Sequence, residues 1–149
     1  METRQHFKIV IMEDNDFYNK IVSRYLKNYL DNLALSKGFT FDMNSFTSYD
    51  DFARNFTQDT TVVLTDYYLN DGYNALHVLE QVRKVSSNTK VVVLSQMQNM
   101  FTSIYPLLEG ACEFIHKDKK ALEKSAYVIE EIINEQMRNN LGSDQATNN

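Results

Sequence analysis

Short apolar runs alternate with amphipathic stretches along most of this chain. The runs Lys8-Ile-Val-Ile-Met12, Val62-Val-Leu64, Val91-Val-Val-Leu94 and Phe114-Ile115 are brief and rich in β-branched residues, while the stretches between them repeat apolar positions every three or four residues. The alternation predicts five strands, at about 7–13, 39–46, 61–66, 89–95 and 112–116, joined by helices, hence an α/β architecture with a parallel sheet. The first helix opens near Asn15 or Asp16, either of which can cap it, shows Val22, Tyr25, Tyr29 and Leu33 on one face, and ends at Gly38. Ser48, with Asp51 three residues on, resembles a capping box that has Asp in the usual Glu or Gln place; it opens a short helix holding Phe52 and Phe56. Leu76, Leu79, Val82 and Arg83 mark a third helix, and Leu122, Ile129, Ile133 and Met137 give the last one an apolar stripe facing the sheet. By position Met97–Leu108 should be a fourth helix, but Pro106 predicts an irregular or shortened element there. The residues after Arg138 are polar and aperiodic, so the chain divides into one domain at 1–137 and a polar tail or start of a linker at 138–149.

Polar groups close four of the strands. Glu13 and Asp14 follow the first, Asp66 the third, Ser95 the fourth and Lys117 the fifth. In a parallel sheet with helical crossovers all these ends lie on one edge, where ligands bind. Three carboxylates suit a divalent cation, and a hydroxyl and an ammonium suit a phosphoryl group. Each residue also has a plainer explanation: Glu13 and Asp14 at a helix amino end, Asp66 in a turn, Ser95 as an N-cap, Lys117 as a solvated lysine. Their shared place at the strand ends is what favours one site.

Composition narrows the setting. The 149 residues are 43% apolar and 12% aromatic, enough to fill one core. A single cysteine, Cys112, excludes an internal disulfide and a cysteine-based zinc cluster, and points to a reducing compartment such as the cytoplasm. The net charge of −5 argues against nonspecific binding to a nucleic-acid backbone. No stretch reaches the roughly 18 apolar residues of a membrane span, and the polar amino terminus runs straight into the first strand, so neither export nor anchoring is expected.

With these residues in place, the chain resembles the receiver domain of a two-component response regulator from about Lys8 to Met137. The motifs are Ile-Met-Glu13-Asp14-Asn, Val-Leu-Thr-Asp66-Tyr-Tyr-Leu69, Asp71-Gly72 opening the third helix, Val-Val-Leu-Ser95, Gly110-Ala111, and Phe114-Ile-His-Lys117, and the intervals from Ser95 to Gly110 and on to Lys117 agree with the family's. The resemblance implies a flavodoxin-like sheet of order 2-1-3-4-5 with helices on both faces. It implies that Asp66 accepts a phosphoryl group from a phosphohistidine of a sensor kinase or histidine phosphotransfer protein. Mg2+ would be held by Glu13, Asp14, Asp66 and the backbone carbonyl of Tyr68, with Lys117 and Ser95 contacting the phosphoryl oxygens. Phe114 would be the switch residue of a face made by the fourth helix, fifth strand and last helix, through which an output domain, a target protein or a second copy could bind. Such a chain is a signalling domain that catalyses only its own phosphorylation and dephosphorylation.

Three departures stand out. The loop from Leu69 to Gly72 is short and lacks a proline, Gln96 follows Ser95 where a small residue is usual, and Asp118 replaces the proline that commonly follows the lysine through a cis bond. They motivate an alternative, a degenerate receiver acting as an interaction module without phosphorylation. A magnesium-dependent hydrolase would want a second acid two residues after Asp66, where Tyr68 stands. A flavodoxin-type cofactor binder would want a neutral phosphate loop after the first strand, where Glu-Asp-Asn-Asp repels phosphate.

Overall fold

Five parallel strands form, four of them where the short β-branched runs lie, in a computed structural model that describes residues 4–96, 110–111 and 113–147, with side chains as far as Leu141. They are β1 (His6–Met12), β2 (Thr40–Phe46), β3 (Val62–Asp66), β4 (Lys90–Ser95) and β5 (Glu113–His116), in the order β2-β1-β3-β4-β5. The predicted parallel α/β sheet and its strand order are both present. Met97–Leu108, with Pro106, and Cys112 lie outside the described residues, and with them the fourth helix expected in the face that binds partners.

The strand alternation divides the core into two layers. Ile9, Ile11, Leu64, Val92, Leu94 and Ile115 face one side, under helices α1 (Asp16–Lys37) and α4 (Ala121–Thr147). Val10, Met12, Val63, Val91 and Val93 face the other, under α2 (Tyr49–Asn55) and α3 (Ala75–Val85). The central strands are buried on both faces, which is why they read as continuous apolar runs. β2 is an edge strand, as β5 is at the other side, and none of the β2 residues is fully buried.

The helices follow their caps. Asn15 accepts from the Tyr18 N–H at 2.8 Å, and α1 stops where Gly38 takes the left-handed conformation at φ 78°. The buried face of α1 is Asn19, Val22, Leu26 and Leu30 rather than the predicted Val22, Tyr25, Tyr29 and Leu33. The two rows adjoin on the helix: Tyr29 and Leu33 pack half-buried at the margin of the core, with the Tyr29 hydroxyl donating to Glu130, whereas Tyr25 is exposed and the aliphatic side chains fill the core. Full burial of Leu26 and Leu30 contributes roughly 1.5–3 kcal/mol each.

Ser48 caps α2 as predicted, accepting from the Asp51 N–H at 3.1 Å, but the Asp51 carboxylate pairs with Arg54 and does not close a box. Phe52 is fully buried, and Phe56 is the residue just past the helix end. Asp71-Gly72 does not open the third helix: both residues have positive φ, 63° and 80°, within a short 3-10 turn at Asn70–Gly72. Left-handed backbone cannot start a right-handed helix, so α3 begins at Ala75. There Asn74 accepts from the Leu76 N–H, and the Asn74 N–H donates to His77 Nδ1. Leu79 and Val82 of α3 are buried, whereas Arg83 is exposed and donates to the Gly110 carbonyl.

Ile129 and Ile133 form the buried stripe of α4, with Leu122 and Met137 at its margins. The helix runs on past Met137 to Thr147, through the segment read as a tail, and Asn140 donates to Gln5 at 2.9 Å. Extending an existing helix adds a hydrogen bond for each residue fixed and avoids the cost of nucleation, and the segment holds no proline to stop it.

Candidate functional site

All the strand-terminal groups gather on the carboxyl edge of the sheet. β1 delivers Glu13 and Asp14, and β3, its neighbour, delivers Asp66; oxygens of the three carboxylates lie within 4.8 Å of one another. β5 is two strands away, but Lys117 reaches back to Glu13 at 3.0 Å and to Asp66 at 3.2 Å. The Lys117 peptide is held by its N–H donating to the Ser95 carbonyl at 2.8 Å. No peptide bond among the described residues is cis, so the Lys117–Asp118 bond is trans and the ammonium still meets its carboxylates. Asp118 instead opens the turn into α4, accepting from the Lys120 N–H at 2.8 Å.

Burial gives these charges their character. Glu13 is 2% exposed, and the Lys117 side chain 7%. Burial, with the Asp66 charge next, pushes the Glu13 carboxyl up to about 7 against the pull of Lys117. Asp66 is also raised above the ordinary carboxylate range by burial; Lys117 opposes the rise and Asp14 adds to it. One ammonium therefore faces more anionic charge than it neutralises.

The donor set fits a hard divalent cation. Three carboxylates supply oxygen ligands, and bringing in positive charge relieves the repulsion that lifts Glu13 and Asp66. Nothing in the geometry assigns the Tyr68 carbonyl a ligand role; the Tyr68 side chain, 55% exposed, borders the cleft.

Ser95 is buried at the end of β4, and its neighbour Gln96 lines the cleft with Phe17 and Tyr68. Phe114 pairs with Val93 in the sheet and packs at the margin of the core layer under α2 and α3. The cleft holds about 370 Å³.

Two residues of the site were missed in the sequence. Asn19 donates to the Glu13 carbonyl at 3.0 Å and to the Phe46 carbonyl at 3.1 Å, tying the acidic loop to the edge strand. Its position in the row with Val22, Leu26 and Leu30 was the available signal, because a polar residue inside an apolar stripe needs a partner. Tyr18 lies against Lys117, the ammonium 4.3 Å from the ring centroid. Burial, then the Glu13 and Asp66 charges, raise its phenol and keep it neutral.

No family model matches the chain, and no curated protein matches its sequence. Solved structures do match. A response regulator receiver domain protein from Clostridium thermocellum is similar at 18% identity and TM-score 0.68, over 88% of this chain and 97% of that one. The N-terminal domain of an uncharacterized protein from Wolinella succinogenes is similar at 18% identity and TM-score 0.70, over 89% and 98%. The BeF3-activated receiver domain of DrrB, a Thermotoga maritima regulator, is similar at 17% identity and TM-score 0.66, over 87% and 99%. At these identities the likeness shows the fold: the chain has the fold of response-regulator receiver domains.

Proposed function

We propose that this chain is a phosphoacceptor receiver domain of a two-component phosphorelay, taking a phosphoryl group from a phosphohistidine onto Asp66. The observation that carries the reading is the buried ammonium of Lys117 set between Glu13 and Asp66 on the receiver fold. The donor is a sensor histidine kinase or histidine phosphotransfer protein in the cytoplasm; among the described residues no helix is long and apolar enough to cross a membrane.

Asp66 acts as the nucleophile. One carboxylate oxygen forms a bond to phosphorus as the bond from phosphorus to the imidazole nitrogen breaks, and the ring nitrogen keeps the electron pair. The reaction needs the ionised carboxylate, which Lys117 favours against the effect of burial. The transition state spreads charge over the equatorial oxygens, so a fixed ammonium beside the acceptor stabilises it without reorganisation. Glu13, Asp14 and Asp66 would hold Mg2+, with the Tyr68 carbonyl as a further ligand on the receiver resemblance; when bound, the metal supplies positive charge to the phosphoryl oxygens. Ser95 then hydrogen-bonds the phosphoryl group, and its movement lets Phe114 turn, shifting the population of the surface that binds an output domain, a target protein or a second copy. The BeF3-activated state of DrrB marks beryllofluoride as a probe of the same step here.

Incubation with magnesium and a small acyl-phosphate donor should add one phosphoryl group that hydroxylamine removes and that Asp66→Asn lacks. Equal labelling of that variant overturns the assignment. A phosphorylation-independent interaction module would show no adduct in either protein.

A further inference from the structure

Among the described residues Lys117 has three partners, and the chemistry proposed above engages two of them. Asp66 loses its carboxylate when an oxygen is esterified, and Glu13 is a ligand of the divalent cation that this site fits. The third partner is the face of Tyr18, 4.3 Å from ring centroid to ammonium, whose quadrupole attraction does not depend on either event. We propose that Tyr18 is a positioning residue that keeps the Lys117 ammonium at the acceptor throughout phosphoryl transfer, an inference that rests on the phosphoacceptor reading of Asp66.

The local structure aims the ring. Asn15 accepts from the Tyr18 N–H and fixes the first turn of α1, and Asn19, next along the helix, ties that turn to the Glu13 and Phe46 carbonyls. Tyr18 is half-buried, packing on one side against the core layer under α1 and α4 and lining the cleft on the other, so its ring is braced beside Lys117. The Lys117 side chain is 7% exposed, which leaves little water to compete for the ammonium. Without the ring, an ammonium released by Glu13 has a flexible four-carbon stem and no fixed aim; with it, the charge stays beside Asp66.

The test combines a structural readout with a kinetic one. In protein carrying labelled lysine, the Lys117 ε-methylene protons should resonate upfield through the ring current of Tyr18, remain so in Tyr18→Phe, and return to ordinary lysine values in Tyr18→Leu. Phosphorylation by a small acyl phosphate at saturating magnesium, measured well below each variant's melting transition, should be roughly tenfold slower in Tyr18→Leu and nearly unchanged in Tyr18→Phe. A Tyr18→Leu protein labelled as fast as wild type overturns the proposal, as does an unshifted Lys117 in wild type, which needs no variant to fold. A wild type that takes no label defeats the phosphoacceptor reading itself, and the lysine resonance then still judges the contact on its own.

Discussion

Lys117 and Lys27 make ion pairs of nearly the same length in very different surroundings. Lys27 meets Asp31 at 3.1 Å one turn along α1, with both side chains half exposed or more; Lys117 meets Glu13 and Asp66 at 3.0 and 3.2 Å with all three largely buried. The distance is shared, so burial decides what each pair does. The exposed pair gains little, because water screens it and two long side chains must be ordered. The buried cluster holds charge that cannot be fully satisfied, which shows in the raised Glu13 and Asp66 carboxyls. A fold tolerates such a cluster when a ligand relieves it.

The strongest way to break the comparison is to remove the buried cation. Lys117→Met should cost about 3–5 kcal/mol at pH 8 in chelator, since it leaves buried carboxylates uncompensated. Denaturant unfolding measures that loss, and acyl-phosphate labelling should fall by at least about a hundredfold.

A pH series sharpens it. Glu13 keeps its proton up to about 7 in the folded chain, against an ordinary value of 4.5. The folded state therefore binds the extra proton between these values, and this contribution to stability is complete below the ordinary value and lost as pH rises through 7. In chelator the melting temperature should fall from pH 5 to pH 8. Millimolar magnesium should offset the fall by binding only the native state, and Glu13→Gln should flatten it. A melting curve indifferent to magnesium at pH 8 contradicts the metal site.

Smaller effects belong to the rim. Tyr68 and Gln96 border the cleft where water must approach a phosphorylated Asp66 in line, so Tyr68→Ala should hasten loss of the phosphoryl group several-fold, about 1 kcal/mol of barrier. Unchanged or slower decay in both Tyr68→Ala and Gln96→Ala refutes the shielding. Least of all, Lys27→Ala should change stability by no more than about 0.5 kcal/mol, in thermal or denaturant unfolding alike.

The strand ends were legible in the sequence because central parallel strands are buried on both faces. Their apolar runs stop abruptly at Asp66 and Ser95, and that is enough to place both on one edge. Helix phase was less legible. The row Val22, Tyr25, Tyr29, Leu33 and the row Val22, Leu26, Leu30 differ by one residue, and only packing against β1 and α4 selects the second. Tyr18 and Asn19 were lost with that phase, since their roles depend on where the first turn of α1 points. The start of α3 was hidden differently: Asp71 adopts a left-handed conformation, which aspartate enters more readily than most residues but only occasionally, and a two-residue motif does not reveal it.

The central claim is that Asp66, among three neighbouring carboxylates, is the acceptor. Labelling the protein with a small acyl phosphate, reducing the adduct with tritiated borohydride and mapping the label by peptide sequencing tests it directly. Reduction converts a phosphorylated aspartate to homoserine, and the label should fall at position 66 alone. Label at Glu13 or Asp14, or phosphate retained through reduction on a histidine or serine, would contradict the account.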